Sequence, residues 1–418
     1  MREMKDSGVE WIGTIPTNWK LNKIGTLYDE RSTKVNDSEY PPLSVTKQGI
    51  VPQLETAAKT DNGDNRKLIK KNDFVINSRS DRRGSCGISE YEGSCSLINT
   101  VLRPRKNMCN TYYGYVFRSE RFADEFYRWG NGIVDDLWST KWSNMKRIYI
   151  PSPTLDEQKR IADYLDEKCS KIDAIIKKQQ TVIEKLKAYK LSIITEAVTN
   201  GLNPDVEMKD SGVEWIGEIP SNWKITSISR LATVVRGASP RPAGDPLYFN
   251  GSDVPWITVA EVTKDDGKYI TSTSEYLTSA GAEKSRMVES GTLLLSNSGA
   301  TLGVPKVTLI DGCINDGSLA FYNLKIDQIF LLYVLKSRTY ELRKEMSGYG
   351  QPNLNTDIVK AIKIPLPPQE KQEDIVKYLD QKCPAIDKVI ADRQVIIEKL
   401  GQYKKSLIYE VVTGKKEI

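Results

Sequence analysis

Histidine is absent from all 418 residues. That removes Ser-His-Asp and Cys-His nucleophile systems and every histidine-ligated metal. Six cysteines are present, at 86, 95, 109, 169, 313 and 383, with no C-x-x-C pair among them. A thiolate metal centre therefore has no spacing behind it, and no metal ligands are expected. No run of about 18 apolar residues occurs, which speaks against a membrane-spanning helix. The stretch Met1 to Gly13 is charged where a signal peptide has its apolar core, so a cytoplasmic location is expected. The nucleotide loop G-x-x-x-x-G-K-[ST] is missing. The prolines at Pro41-Pro42 and Pro367-Pro368 lack the flanking acid or amide of a methyltransferase motif. Pro204-Asp205 before Glu207-Met208-Lys209 imitates a metal-nuclease signature, but its two parts stand only one residue apart. No catalytic residue is expected, and the chain is read as a non-enzyme.

What is there begins with ordinary globular composition: 39% hydrophobic and 28% charged residues. The net charge of +5 is unevenly spread. Residues 1–150 hold 24 Lys and Arg against 19 Asp and Glu, whereas residues 201–364 hold 17 against 19. Bulk charge therefore favours a polyanionic partner for the first segment only, and any such claim for the later one must rest on local groups.

A repeat organises the chain. MKDSGVEWIGTIPTNW, Met4 to Trp19, returns as MKDSGVEWIGEIPSNW, Met208 to Trp223, with 14 of 16 positions identical. Ile150 to Asp173 returns as Ile364 to Asp387, at an offset of 214, and the match runs on through VIEKLKAYK and IIEKLGQYK. Between these blocks the likeness is faint. Near-identical frames with divergent contents suggest one scaffold used twice to recognise different things. Trp11, Trp19, Trp215 and Trp223 belong to the unvarying frame, which predicts packing rather than base stacking.

Pro151 and Pro153, and Pro365 to Pro368, close extended stretches, so helices are expected from near Asp156 and Glu370. Seven-residue rows follow: Leu165, Ile172, Gln179, Leu186, Ile193 with Ile161, Lys168, Ile175, Val182, Tyr189. The second copy has Leu379, Ile386, Arg393, Leu400, Leu407 with Ile375, Lys382, Val389, Ile396, Tyr403. Two helices pairing antiparallel within the chain are predicted. The variable segments show short β-like runs such as Phe74 to Ile76, Ile257 to Val259 and Leu293 to Leu295. Helical stretches are expected over Tyr112 to Arg128 and Ile329 to Glu345. The fold class is thus α+β: two mixed α/β domains separated by two long helices in an intramolecular antiparallel coiled coil, a pseudo-two-fold internal repeat. The boundaries are 1–152, 153–203, 204–366 and 367–418.

Several loops combine side chains suited to bases and phosphates. Arginine pairs with guanine, asparagine and glutamine with adenine, glutamate accepts from cytosine, and lysine and arginine take phosphates. In the first copy the candidates are Thr46, Lys47 and Gln48, then Asn77, Arg79, Ser80, Arg82 and Arg83, and Lys141. In the second they are Arg236, Ser239 and Arg241, then Glu261, Asn297 and Ser298, and Gln351, Asn353 and Asn355. The last two could equally be turn formers.

The repeated SGVEWIGxIPxNW, and the IPxPxxxEQ-like approach to each long helix, resemble the specificity-subunit family of type I restriction–modification enzymes. The second copy departs from that pattern in having Lys371 where Glu is usual. The resemblance covers essentially the whole chain. It implies two target-recognition domains, each reading one half of a split, asymmetric DNA target. It also implies helices that set the spacing and dock two methyltransferase subunits, with two motor-nuclease subunits completing the enzyme. No cofactor is expected in this chain; S-adenosylmethionine, ATP and Mg are expected in the partner subunits. A duplicated scaffold binding protein partners is the alternative.

Overall fold

The computed structural model describes residues 2–53, 63–79, 82–132, 138–346 and 353–418. The chain divides into two compact units: residues 1–181 with 393–418, and residues 182–392. Each unit therefore holds one variable domain and a segment from each long helix.

In the first unit a four-stranded antiparallel sheet runs in the order Cys86–Ile88, Phe74–Asn77, Asn99–Pro104, Tyr28–Glu30. Phe74, Val75 and Ile76 are buried, so this strand is covered on both faces. The expected helix over Tyr112 to Arg128 is two helices, Asn110–Arg118 and Glu120–Arg128. Ser119 divides them. It is extended, its hydroxyl donates to the Val116 carbonyl at 2.7 Å, and it accepts from the Phe122 amide as an N-cap.

The second unit repeats the plan. Leu293–Ser296 lies between Ser318–Tyr322 and Pro305–Thr308, with Thr233–Arg236 beyond the former. Its domain helix, Gln328–Met346, is unbroken. The run Ile257 to Val259 is not a strand throughout: Ile257 ends the strand Phe249–Ile257, and Val259 opens a short helix to Thr263.

In both units the tryptophan frame forms a small antiparallel ribbon, Met4–Asp6 with Thr14–Pro16 and Met208–Asp210 with Glu218–Pro220. Trp11, Trp19 and Trp223 are buried, and Trp215 packs against the second core and lies under the Arg338 guanidinium. Frame packing is what they do.

The long helices span Leu155–Asn200 and Gln369–Val412. Asp156 and Glu157 lie in the first turn of the former and Glu370 in that of the latter, where the helix dipole favours negative charge. Gln158 and Gln372 explain the shared approach motif. Each donates back to a proline carbonyl, Pro153 or Pro367, at 2.9 Å. Each also accepts a backbone amide from just before the domain helix, Cys109 at 2.9 Å or Asp327 at 2.8 Å. The Lys371 departure changes the local contacts. In the first copy Glu157 accepts from the buried Trp19 indole at 2.9 Å and from Arg2 at 2.5 Å, whereas Lys371 turns to Asp374.

Within each unit the two helix segments run antiparallel. In the first, Lys404 pairs with Asp173 and Arg393 donates to Gln179; in the second, Lys190 pairs with Asp387. The first row expected from the sequence lies in the seam. The second row is buried at its first members, Ile161 and Ile375, and is displaced by one residue beyond them. The inward positions are Cys169, Ile176, Ile183, Lys190 and Cys383, Ile390, Ile397, Lys404, while Ile175, Tyr189, Val389 and Tyr403 are exposed.

The second helix ends in the first unit's core. Leu407, Val411 and Val412 pack with Trp11, Ile15 and Trp19, and the Val412 carbonyl accepts from Tyr112 at 2.9 Å. Gly414 follows at φ +73, and a Cβ there would stand 2.4 Å from Pro16. No helix among the described residues is long and apolar enough to cross a membrane.

Candidate nucleic-acid interface

Three chain segments distant in sequence meet at one end of the central strand in each domain. In the first domain they are the strand end at Asn77 to Arg79, the turn Ser96 to Asn99, and the loop Ser139 to Lys141. The Thr140 amide donates to the Ser78 carbonyl at 2.9 Å, and the Ser78 amide and hydroxyl donate to the Ile98 carbonyl. Arg79 and Ser139 form an isolated β-bridge.

The second domain repeats this arrangement. The Leu354 amide donates to the Asn297 carbonyl at 2.7 Å, the Asn297 amide donates to the Gly317 carbonyl at 2.9 Å, and Ser298 bridges Asn353. The backbone scaffold recurs while the side chains change: Ser78 against Asn297, Arg79 against Ser298, Ser139 against Asn353, Leu97-Ile98 against Asp316-Gly317.

Around the first platform lies a cleft of about 660 Å³ lined by Lys67, Arg79, Leu97, Ile98, Lys141 and Lys146, among others. Lys67 is partly engaged, donating to the Asn99 carbonyl at 2.9 Å and pairing with Glu30 at 3.4 Å. Arg79, Lys141 and Lys146 are exposed. Asn77 accepts the Arg79 amide at 3.0 Å and so shapes the loop. Arg82 is exposed. Arg83 is held within its own domain, ion-paired with Asp124 and stacked 5.2 Å from the Tyr127 ring centre. Thr46, Lys47 and Gln48 are not brought here. They form a hairpin tip in which Thr46 bonds the Gly49 carbonyl and the Gln48 amide, and Gln48 lines a different cleft with Tyr115 and Arg118. Ser80 lies outside the described residues.

In the second domain Asp316 is the point of convergence. Arg236 donates to its carbonyl at 2.8 Å, Ser239 to its carboxylate at 2.6 Å, and Arg241 to the other carboxylate oxygen at 3.3 Å. Asn297 donates to the same carbonyl at 3.2 Å and is fully buried, and its Oδ1 meets no donor among the described residues. Glu261 is buried at its own short helix, held by Lys264 at 3.3 Å and Ser274 at 3.4 Å, so its carboxylate serves the domain interior. Asn355 is a helix cap, accepting from the Asp357 and Ile358 amides. Gln351 lies outside the described residues.

A family model described as the type I restriction modification DNA specificity domain matches residues 18–185 and again residues 220–390. The chain belongs to this family. Across 96% of its length it is 26% identical to the type I restriction enzyme MjaVIII specificity subunit of Methanocaldococcus jannaschii, covering 93% of that protein. It is 21% identical to the StySPI specificity subunit of Salmonella potsdam over 83% of this chain and 75% of that one. A chain solved in a study of complex assembly and conformational transition of the type I R-M system shares the fold, with a TM-score of 0.73 at 16% identity over 96% and 99% of the two chains. The doubled family match disfavours the protein-binding scaffold alternative.

In both platforms cations flank groups that donate, accept or offer apolar contact, a mixture chemically suited to phosphates and base edges. Sequence inspection missed Lys67 and Lys146, which carry no local signal. It also missed Asp316, whose Asn-Asp-Gly setting marks a turn but not the arginines that close on it.

Proposed function

We propose that this chain is the non-catalytic specificity subunit of a type I restriction–modification enzyme. Residues 1–152 and 204–366 each read one half of a split, asymmetric double-stranded DNA target. The paired helices set the distance between the half-sites and dock two methyltransferase subunits, and two motor-nuclease subunits join them. S-adenosylmethionine, ATP and Mg belong to those partners, and the assembly works in the cytoplasm.

One observation carries this reading: the same three-segment backbone platform occurs in both domains with different side chains. A shared scaffold with exchanged contacts is what two half-sites of different sequence require. We assign the contacts to Asn77, Arg79, Lys141 and Lys146 in the first domain, and to Arg236, Ser239, Arg241, Ser298 and Asn353 in the second, where the buried Asn297 holds the Asp316 carbonyl. The test is methylome sequencing of cells carrying the chain with its partners. Exchanging residues 20–150 for those of another family member should alter one half of the methylated motif and leave the other. A change in both halves, or in neither, would refute modular readout.

A further inference from the structure

The turn between strands Gly93–Cys95 and Asn99–Pro104 presents two aliphatic side chains to solvent. Leu97 is 39% and Ile98 36% exposed. The turn is held firmly: the Asn99 amide donates to the Ser96 carbonyl at 3.0 Å, and the Ser78 hydroxyl donates to the Ile98 carbonyl at 2.5 Å. Turns ordinarily carry Gly, Asn, Asp or Ser. The matching turn of the second domain does so, with Asn315-Asp316-Gly317. The scaffold is therefore built equally well without an apolar pair, and packing does not account for Leu97 and Ile98.

Their surroundings do. Both line the cleft that also holds Arg79, Lys141 and Lys146. Those cations suit a phosphate backbone, and a duplex seated there brings base edges over the turn. In the major groove the one apolar group on an unmodified base pair is the C5 methyl of thymine.

We propose that Leu97 and Ile98 are specificity-determining residues that read the methyl group of a thymine in the first half-site. The inference rests on the DNA-reading function proposed above. It also accounts for the difference between the two turns: the first domain offers aliphatic contact where the second offers a carboxylate held by Arg241 and Ser239.

The test uses the full chain assembled with its methyltransferase partner and duplexes carrying the motif it methylates in cells. Each thymine of the first half-site is replaced in turn by deoxyuridine, which lacks only the methyl, and binding is followed by fluorescence anisotropy. One replacement should weaken binding about fourfold, the worth of one buried methyl. The double variant Leu97→Ala, Ile98→Ala should bind the thymine and uracil duplexes alike and keep its preference at the second half-site, which also reports that it folds. Indifference of the parent protein to every uracil, or full uracil sensitivity in the double variant, would overturn the proposal. So would a first half-site without an A·T pair. Equal weakening of the double variant on all duplexes, as a wedge or a general contact would give, counts against it too. An assembly that does not prefer its motif over a scrambled duplex would overturn the DNA-reading function, and this inference with it.

Discussion

Lys190 donates to both carboxylate oxygens of Asp387 at 2.6 Å, and their repeat equivalents, Lys404 and Asp173, form the same pair with the helices exchanged. Equivalent contacts made in opposite senses are what antiparallel pairing of two copies of one helix produces. The two pairs differ in burial. The Lys190 side chain is 10% exposed and that of Lys404 28%.

That difference sets unequal costs for the same substitution. Asp387→Ala would leave a buried ammonium without its partner and should destabilise the second unit by about 2 kcal/mol, reduced from the fully buried case because Asp387 itself is half exposed. Asp173→Ala should cost under about 1 kcal/mol, as an exposed pair does. Urea denaturation of both variants tests this, and equal losses would contradict it.

Glu157 accepts from two donors, the buried Trp19 indole and Arg2, the latter also pairing with Glu417 at 3.6 Å. Glu157→Ala should destabilise the first unit by about 1–3 kcal/mol, since it strands a buried donor. At the matching position Lys371→Ala should change stability by no more than about 0.5 kcal/mol, because that side chain is exposed and its pair with Asp374 is a surface one. Chemical denaturation distinguishes the two, and a harmless Glu157→Ala would refute the role given to this carboxylate.

Burial pushes the Cys86 and Cys95 thiols up from 9.0 to about 12. The folded form thus holds these protons more tightly than the unfolded chain does. Their contribution is whole below pH 9 and is lost as pH rises from 9 toward 12. Each thiol weakens the fold by about 1.4 kcal/mol per pH unit across that window. Replacing both with alanine should flatten the alkaline slope of the unfolding free energy. An unchanged slope would show that other groups govern it.

Lys141 and Lys146 flank the first platform, and neither is ion-paired among the described residues. If each contacts a phosphate, the double alanine variant should weaken binding on specific and scrambled duplexes alike. The logarithmic salt dependence of affinity should fall by about two. A loss confined to one motif position would make one of them a base reader instead.

Much of this architecture is legible in the residues. The repeated tryptophan frame announces two copies of one domain, and the heptad spacing announces paired helices. The missing histidine by itself narrows the chemistry. The glutamines at 158 and 372 stand out as repeated residues, although their double duty at the helix starts is visible only in three dimensions.

The seam was decided by tertiary structure. Adjacent residues Ile175-Ile176, Val182-Ile183 and Tyr189-Lys190 offer two stripes about 100° apart on a helix of 3.6 residues per turn. Local pattern favours the tyrosine over the lysine as an inward residue. The fold turns Lys190 inward because Asp387 waits on the other helix, and leaves Tyr189 58% exposed. The two backbone platforms were decided in the same way. Arg236, Arg241 and Asn297 are scattered along the chain, and only the sheet brings them to Asp316, 80, 75 and 19 residues away. Periodicity reports which residues share a face of one element. It carries no information about which distant element will supply the opposite charge, because that choice is made by packing and by the need to satisfy buried polar groups together.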